Sequence, residues 1–278
     1  MHSAELALLK KIRIMMGKKL NTLFLGEYHS AFRGSGLSFD SVREYQYGDD
    51  IRNIDWNVTA RMNQLYVKEY IEERELSIVL AIDISGSTDF GSERRKSEVI
   101  NEVAALFLYL AQMNNDRITV LLFSDRIERY IRPGRGRKYM LKVLDEIIRC
   151  EPESRKTDIS CAVNFLNKVL KKRSVVFLIS DFLDSDDSYQ LRMKLLGRKH
   201  DVIPVQVYDP LERDMRIFGL TEFVDLESGK SFLSDALPEQ GRYSLLQGFE
   251  TIFISTGSSV AVPVLGFFEK RNRSRLKR

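Results

Sequence analysis

Between Ser77 and Tyr208 the chain alternates unbroken apolar runs with longer amphipathic stretches, and this pattern restricts the possible folds more than any other feature. The runs are SIVLAID, RITVLLFS, SVVFLIS and DVIPVQVYD. Between them stand RRKSEVINEVAALFLYLAQMNN, the pair KYMLKVLDEIIRC and DISCAVNFLNKVLKK, and SYQLRMKLLGRK. A strand apolar at every position is covered on both faces, as in a parallel sheet, and intervening helices supply the cover. Residues 76–210 are therefore predicted to form a doubly wound, mostly parallel α/β domain. RIERYIRP reads as a hairpin partner of the second strand.

Residues 1–75 are expected to pack on this domain as an N-terminal extension. They hold an amphipathic helix over 4–16 behind Ser3, then a polar, glycine-punctuated segment whose end, from QLYVKEY, suits a strand. Residues 211–278 are expected to add a small antiparallel piece turning at ESGK, a strand at TIFIS and a closing helix at VPVLGFFEKR.

With 278 residues, 44% hydrophobic and 29% charged, the chain has the balance of a globular protein able to fill a core. Cys150 and Cys161 form no CxxC pair, and His2, His29 and His200 are scattered, which argues against a disulfide scaffold and a zinc site. The N-terminus lacks the pattern of a signal peptide, and no window approaches the ~20 apolar residues of a membrane span. A reducing, cytoplasmic setting is expected. Net charge is +4, but the last nine residues, KRNRSRLKR, carry six positive charges, so the remainder is net −2. Such a tail is expected to be a solvated, frayed end, with contact to nucleic acid or acidic lipid as its functional alternative.

IVLAIDISGSTD sets Asp83, Ser85 and Ser87 at alternate positions where an apolar strand ends. Ligands of open parallel sheets bind beyond the carboxyl ends of the strands. Asp181 directly ends SVVFLIS, and Thr157 precedes the helix that begins near Asp158, so both belong to the same rim. Hydroxyl and carboxylate oxygens are hard ligands suited to Mg²⁺, or to Mn²⁺ or Ca²⁺, and a divalent ion relieves the repulsion between converging carboxylates. Ser and Asp are also common in turns and helix caps, which is the structural alternative.

This arrangement resembles the von Willebrand factor A domain and its metal-ion-dependent adhesion site. The resemblance implies direct coordination by Ser85, Ser87 and Thr157, with Asp83 and Asp181 acting through water. It also implies one coordination position left open for an acidic group of a partner.

A second resemblance rests on the stretch from Gly36 to Arg61. The positions Arg43, Tyr45, Gly48, Asp49, Asp50, Arg52, Ile54, Asp55, Trp56, Ala60 and Arg61 match the signature of the bacterial family named Domain of Unknown Function 58. EFVDLESGKSF and FFEKRNR are similar to that family too. Many members begin with two membrane helices, and this sequence has none, so the short soluble form is implied. The resemblance further implies a MoxR-type AAA+ ATPase as partner and an adaptor or co-chaperone role in protein assembly or maturation. The signature itself has two readings: a structural clasp between the N-terminal segment and the sheet, its charges paired and Trp56 anchoring it on the domain, or a docking surface built from Arg43, Asp49, Asp50, Arg52, Trp56 and Arg61.

A haloacid-dehalogenase-like phosphohydrolase is the rival enzyme class. Its D-x-D motif is not met, because Ser85 stands where the second carboxylate belongs. Serine-hydrolase chemistry lacks G-x-S-x-G and a placed histidine base. RPGRGRKY fits neither phosphate-loop pattern and reads as a basic loop.

Overall fold

The computed structural model describes residues 10, 18–32, 37–62, 64–72, 76–184, 188–213, 221–224, 226–227, 231–234, 246 and 248–276. The helix expected over 4–16 lies outside them apart from Lys10, as does the ESGK turn beyond Glu227. By its internal contacts the chain forms two units, one of Phe32–Leu76 and one of the remainder.

The smaller unit contains β1 (Leu37–Glu44) and β2 (Tyr66–Glu72), paired antiparallel, with α2 (Trp56–Met62) between them; α1 (Lys18–Phe32) precedes it. Ile54 bridges to Val67, and both are buried. The charges of the signature segment hold its own backbone. Arg43 grips Asp49 with both terminal nitrogens, at 2.7 and 2.8 Å, and reaches Glu69 through Nε at 2.8 Å. Arg52 pairs with Asp50, whose carboxylate also accepts the Arg52 amide. Asp55 accepts the amides of Asn57 and Val58 at the start of α2 and lies 3.7 Å from Lys68. These charge pairs all lie within the smaller unit itself. Trp56, expected to be its apolar anchor, is instead 64% exposed at the first turn of α2, and Arg61 is exposed in the last.

The larger unit follows the alternation read from the sequence. β3 (Ser77–Asp83) leads through α3 (Lys96–Met113) to β4 (Arg117–Phe123), and β5 (Ile127–Gly134) returns antiparallel along β4. Next come α4 (Arg137–Arg149), α5 (Ile159–Val169), β6 (Val175–Ser180), α6 (Ser188–Gly197), β7 (Asp201–Tyr208) and the short α7 (Pro210–Arg213). β8 (Thr221–Val224) and β9 (Ser231–Ser234) form the expected antiparallel pair. β10 (Ile252–Ser255) and α8 (Ala261–Leu276) complete the chain.

The six-stranded sheet runs β10-β7-β6-β3-β4-β5, parallel except for β5. The strand expected at TIFIS thus forms one edge of this sheet. Side chains alternate across each strand. Val79 and Ala81 of β3 join Ile159 and Val163 of α5 and Met193 of α6 in one core layer. On the buried β6–α3 contact, Phe107 stacks on Phe177 at 4.0 Å.

α1 was not anticipated. It buries Phe24, Tyr28 and Ala31, spaced on one helical face, and sets Phe24 and Tyr28 edge-on against Phe268 of α8. Tyr28 Oη donates to Asp116 at 2.9 Å. α8 carries the start of the basic tail as ordered helix: Arg271 pairs with Asp201, and Asn272 donates to the Glu27 carbonyl at 3.0 Å. Residues 270–276 thus depart from the expected frayed end. RPGRGRKY forms the corner from β5 into α4, with Tyr139 Oη donating to the Arg132 carbonyl at 2.6 Å. Among the described residues no helix is long and apolar enough to cross a membrane.

Candidate functional site

The chain leaves β3 toward β4 on one side of the sheet and leaves β6 toward β7 on the other. A crevice therefore opens between the carboxyl ends of β3 and β6, the switch point at which ligands bind in such sheets. Asp83 is the last residue of β3, and Asp181 immediately follows β6. Both are buried, with 0% and 1% exposure. Asp83 Oδ1 accepts the Ser85 amide at 2.9 Å, and its Oδ2 accepts the Ser180 hydroxyl at 2.7 Å. Burial, and then the Asp181 charge, push the Asp83 carboxyl up to about 7.

Phe182 holds φ at 57°, a left-handed conformation uncommon for an aromatic residue. Its buried ring and the bond from its amide to Ser180 Oγ at 3.0 Å keep the chain in this turn beside Asp181. Backbone strain of this kind, about 1–3 kcal/mol, collects at functional loops.

Three hydroxyls meet above the end of β3. Ser85 Oγ lies 3.1 Å from Ser87 Oγ and 2.8 Å from Thr157 Oγ1, although Thr157 is 72 positions from Ser85. The two loops are tied together by the Gly86 amide, which donates to the Arg155 carbonyl at 2.8 Å. Asp158 fixes the second loop by capping α5, accepting the Cys161 amide at 3.0 Å. Thr157 Oγ1 also lies 2.7 Å from Glu227 Oε1.

Neighbouring ligands of an octahedral Mg²⁺ at 2.0–2.1 Å stand about 2.9 Å apart, so the hydroxyl spacings match edges of such a shell. Among the described residues no three His, Cys, Asp or Glu side chains are arranged to hold an ion. An ion here would take hydroxyl oxygens, with the two aspartates as outer charge. That donor set fits a hard divalent cation.

Sequence reasoning missed the neighbours that tune the crevice. Lys96, 1% exposed, places Nζ 2.7 Å from Asp181 Oδ2 and 2.6 Å from Glu212 Oε1. Burial works against its charge, but Asp181 and Glu212 hold the ammonium above the usual lysine value. In the sequence, Lys96 belongs to the charged run ERRKSE, which looks like solvated surface. Asp209, buried after β7, binds the Ser92 amide at 2.8 Å and Thr256 Oγ1 at 2.6 Å, pinning the loop after β3 to that after β10.

An uncharacterized protein of Mycobacterium tuberculosis is 27% identical over 226 residues, covering 80% of this chain and 71% of that protein. Two solved structures share the fold. The conserved hypothetical protein BatB from Bacteroides thetaiotaomicron has TM-score 0.51 and 11% identity, covering 71% of this chain and 99% of that one. An aerotolerance-related membrane protein from Bacteroides fragilis has TM-score 0.52 and 14% identity, covering 72% and 99%. The family model of protein of unknown function DUF58 matches residues 41–247, well over half of the sequence, and the chain belongs to that family.

Proposed function

We propose that this protein is a non-enzymatic binding adaptor whose crevice between β3 and β6 holds a divalent cation, Mg²⁺ first, and through it a carboxylate of a protein partner. The observation that carries this proposal is the convergence of Ser85, Ser87 and Thr157, from two separate loops, above the buried Asp83, whose carboxyl feels the charge of the buried Asp181. Ser85, Ser87 and Thr157 would hold the ion, and the two aspartates would supply charge through water. The ion supplies a Lewis-acidic position for a carboxylate, and the protein's groups fix its place.

The partner, by the resemblance of the signature segment, is a MoxR-type AAA+ ATPase, with assembly or maturation of a further protein as the outcome. Cytoplasmic residence is part of the proposal, in keeping with the free thiols of Cys150 and Cys161. The phosphohydrolase alternative is disfavoured by Asp83 itself. Its side chain is fully buried, which closes it to a substrate phosphate.

Calorimetric titration with Mg²⁺ and Mn²⁺ tests the site. Thr157→Ala and Ser85→Ala should each weaken binding about tenfold or more, the loss expected on removing a supporting or direct ligand. Pull-down from the native host should recover an AAA+ ATPase with Mg²⁺ and lose it in chelator. Equal recovery in chelator would refute the metal bridge.

A further inference from the structure

The hydroxyls of the rim form one hydrogen-bonded group that reaches a carboxylate. Thr157 Oγ1 donates to Glu227 Oε1, 2.7 Å away. Thr157 Oγ1 also donates toward Ser85 Oγ at 2.8 Å, and Ser85 Oγ shares a hydrogen bond with Ser87 Oγ at 3.1 Å. Glu227, joined to this group through Thr157, lies 70 positions from it in the connection between β8 and β9.

The backbone beside Glu227 is seated as closely as its side chain. A Cβ on Gly86, between the two serines, would stand 2.6 Å from the Leu226 carbonyl oxygen and 3.1 Å from the Arg155 carbonyl oxygen. Contacts under 3.0 Å are sterically excluded, so the absence of a side chain at position 86 is what lets Leu226 approach the rim. Gly86 is thus needed for close approach, with Arg155 on one side and Leu226 on the other.

We propose that Glu227 is the built-in occupant of this site, a carboxylate of the chain's own in the place a partner's carboxylate must take. The inference rests on the metal-dependent adaptor reading for its partner, but the seating of Leu226–Glu227 on the rim stands on contacts within the chain. A partner's acidic group binds by displacing this pair of residues. The tethered carboxylate sets a threshold against weak acidic ligands, because apparent affinity falls by the fraction of time the site is self-occupied.

Two measurements on the full chain test this. Hydrogen–deuterium exchange without metal compares wild type with Glu227→Ala. Exchange over residues 84–90 and 154–158 should rise severalfold in the variant, and unchanged exchange overturns the seating. Acetate is then titrated against the Mn²⁺-loaded proteins, following the water-proton relaxation of the ion. Glu227→Ala should bind acetate about tenfold more tightly if the occupant fills nine-tenths of wild-type sites; equal affinity overturns the proposal. Gly86→Ala, which leaves Glu227 intact but blocks the Leu226 approach, should move both readouts in the same direction. If neither protein binds Mn²⁺, the adaptor reading fails separately, and the exchange comparison alone decides whether Glu227 is seated at the rim.

Discussion

Lys96 sits at the first position of α3, where the partial positive charge of a helix N-terminus opposes a cation. It is also buried, which opposes its charge a second time. Asp181 and Glu212 are the compensation, so the local rule is broken for the sake of a tertiary pair. Truncating one partner of a buried ion pair strands the other charge. Lys96→Met should therefore cost about 3–5 kcal/mol in urea unfolding. Millimolar Mg²⁺ should restore part of that loss if the crevice binds the ion, and a stability indifferent to Mg²⁺ would count against it. Asp83, Ser85, Ser87 and Asp181 were visible in the sequence because strand ends mark them, and Thr157 because it stands just before a helix start. Lys96 and Glu227 were not, since a lysine in a charged run and a glutamate in a hairpin turn each have an ordinary surface explanation.

α5 shows how an element positions a functional side chain. Its cap, Asp158, stands next to Thr157, and the Ile159 amide donates to Asp184 Oδ2 at 3.0 Å. Asp158→Ala should lower stability by about 1 kcal/mol, read from the urea midpoint, as for loss of an N-cap oxygen. It should also weaken divalent-ion binding by loosening Thr157, whereas a stability loss with unchanged ion affinity would mean that the loop holds Thr157 without the cap. Helices and strands of the larger unit were legible because their apolar periodicity is long and consistent. α1 was not: Asn21, Thr22 and Gly26 dilute its helical signal, and burial of Phe24 and Tyr28 against α8 outweighs their weak propensity.

For the molecule as a whole, stability against pH carries a contribution from His200, which lies between α6 and β7. It is buried, and neither ring nitrogen has a hydrogen-bond partner among the described residues. Burial, and then the charge of Lys199, hold its pKa below the usual 6.5. The unfolded chain takes up a proton near 6.5 that the folded protein resists, so this contribution is complete above 6.5 and declines as pH falls toward the lowered folded value. Denaturation midpoints should drop across that window, and His200→Phe should flatten the drop. A wild-type profile as flat as the variant's would show that the ring charges freely in the folded state. Domain layout was less legible than fold class. Helical periodicity does not say which partner a helix packs on, and α1 joins the sheet-bearing unit through Phe268, a contact made across most of the chain length.

The outermost strand of the sheet, β5, carries Glu128, Arg129 and Arg132, and Pro133 contributes no amide hydrogen. A second molecule attempting to continue the ladder there meets a missing donor and clustered charge, which discourages edge-to-edge growth. On that flank, crowded copies of the chain are kept from templating one another into fibres.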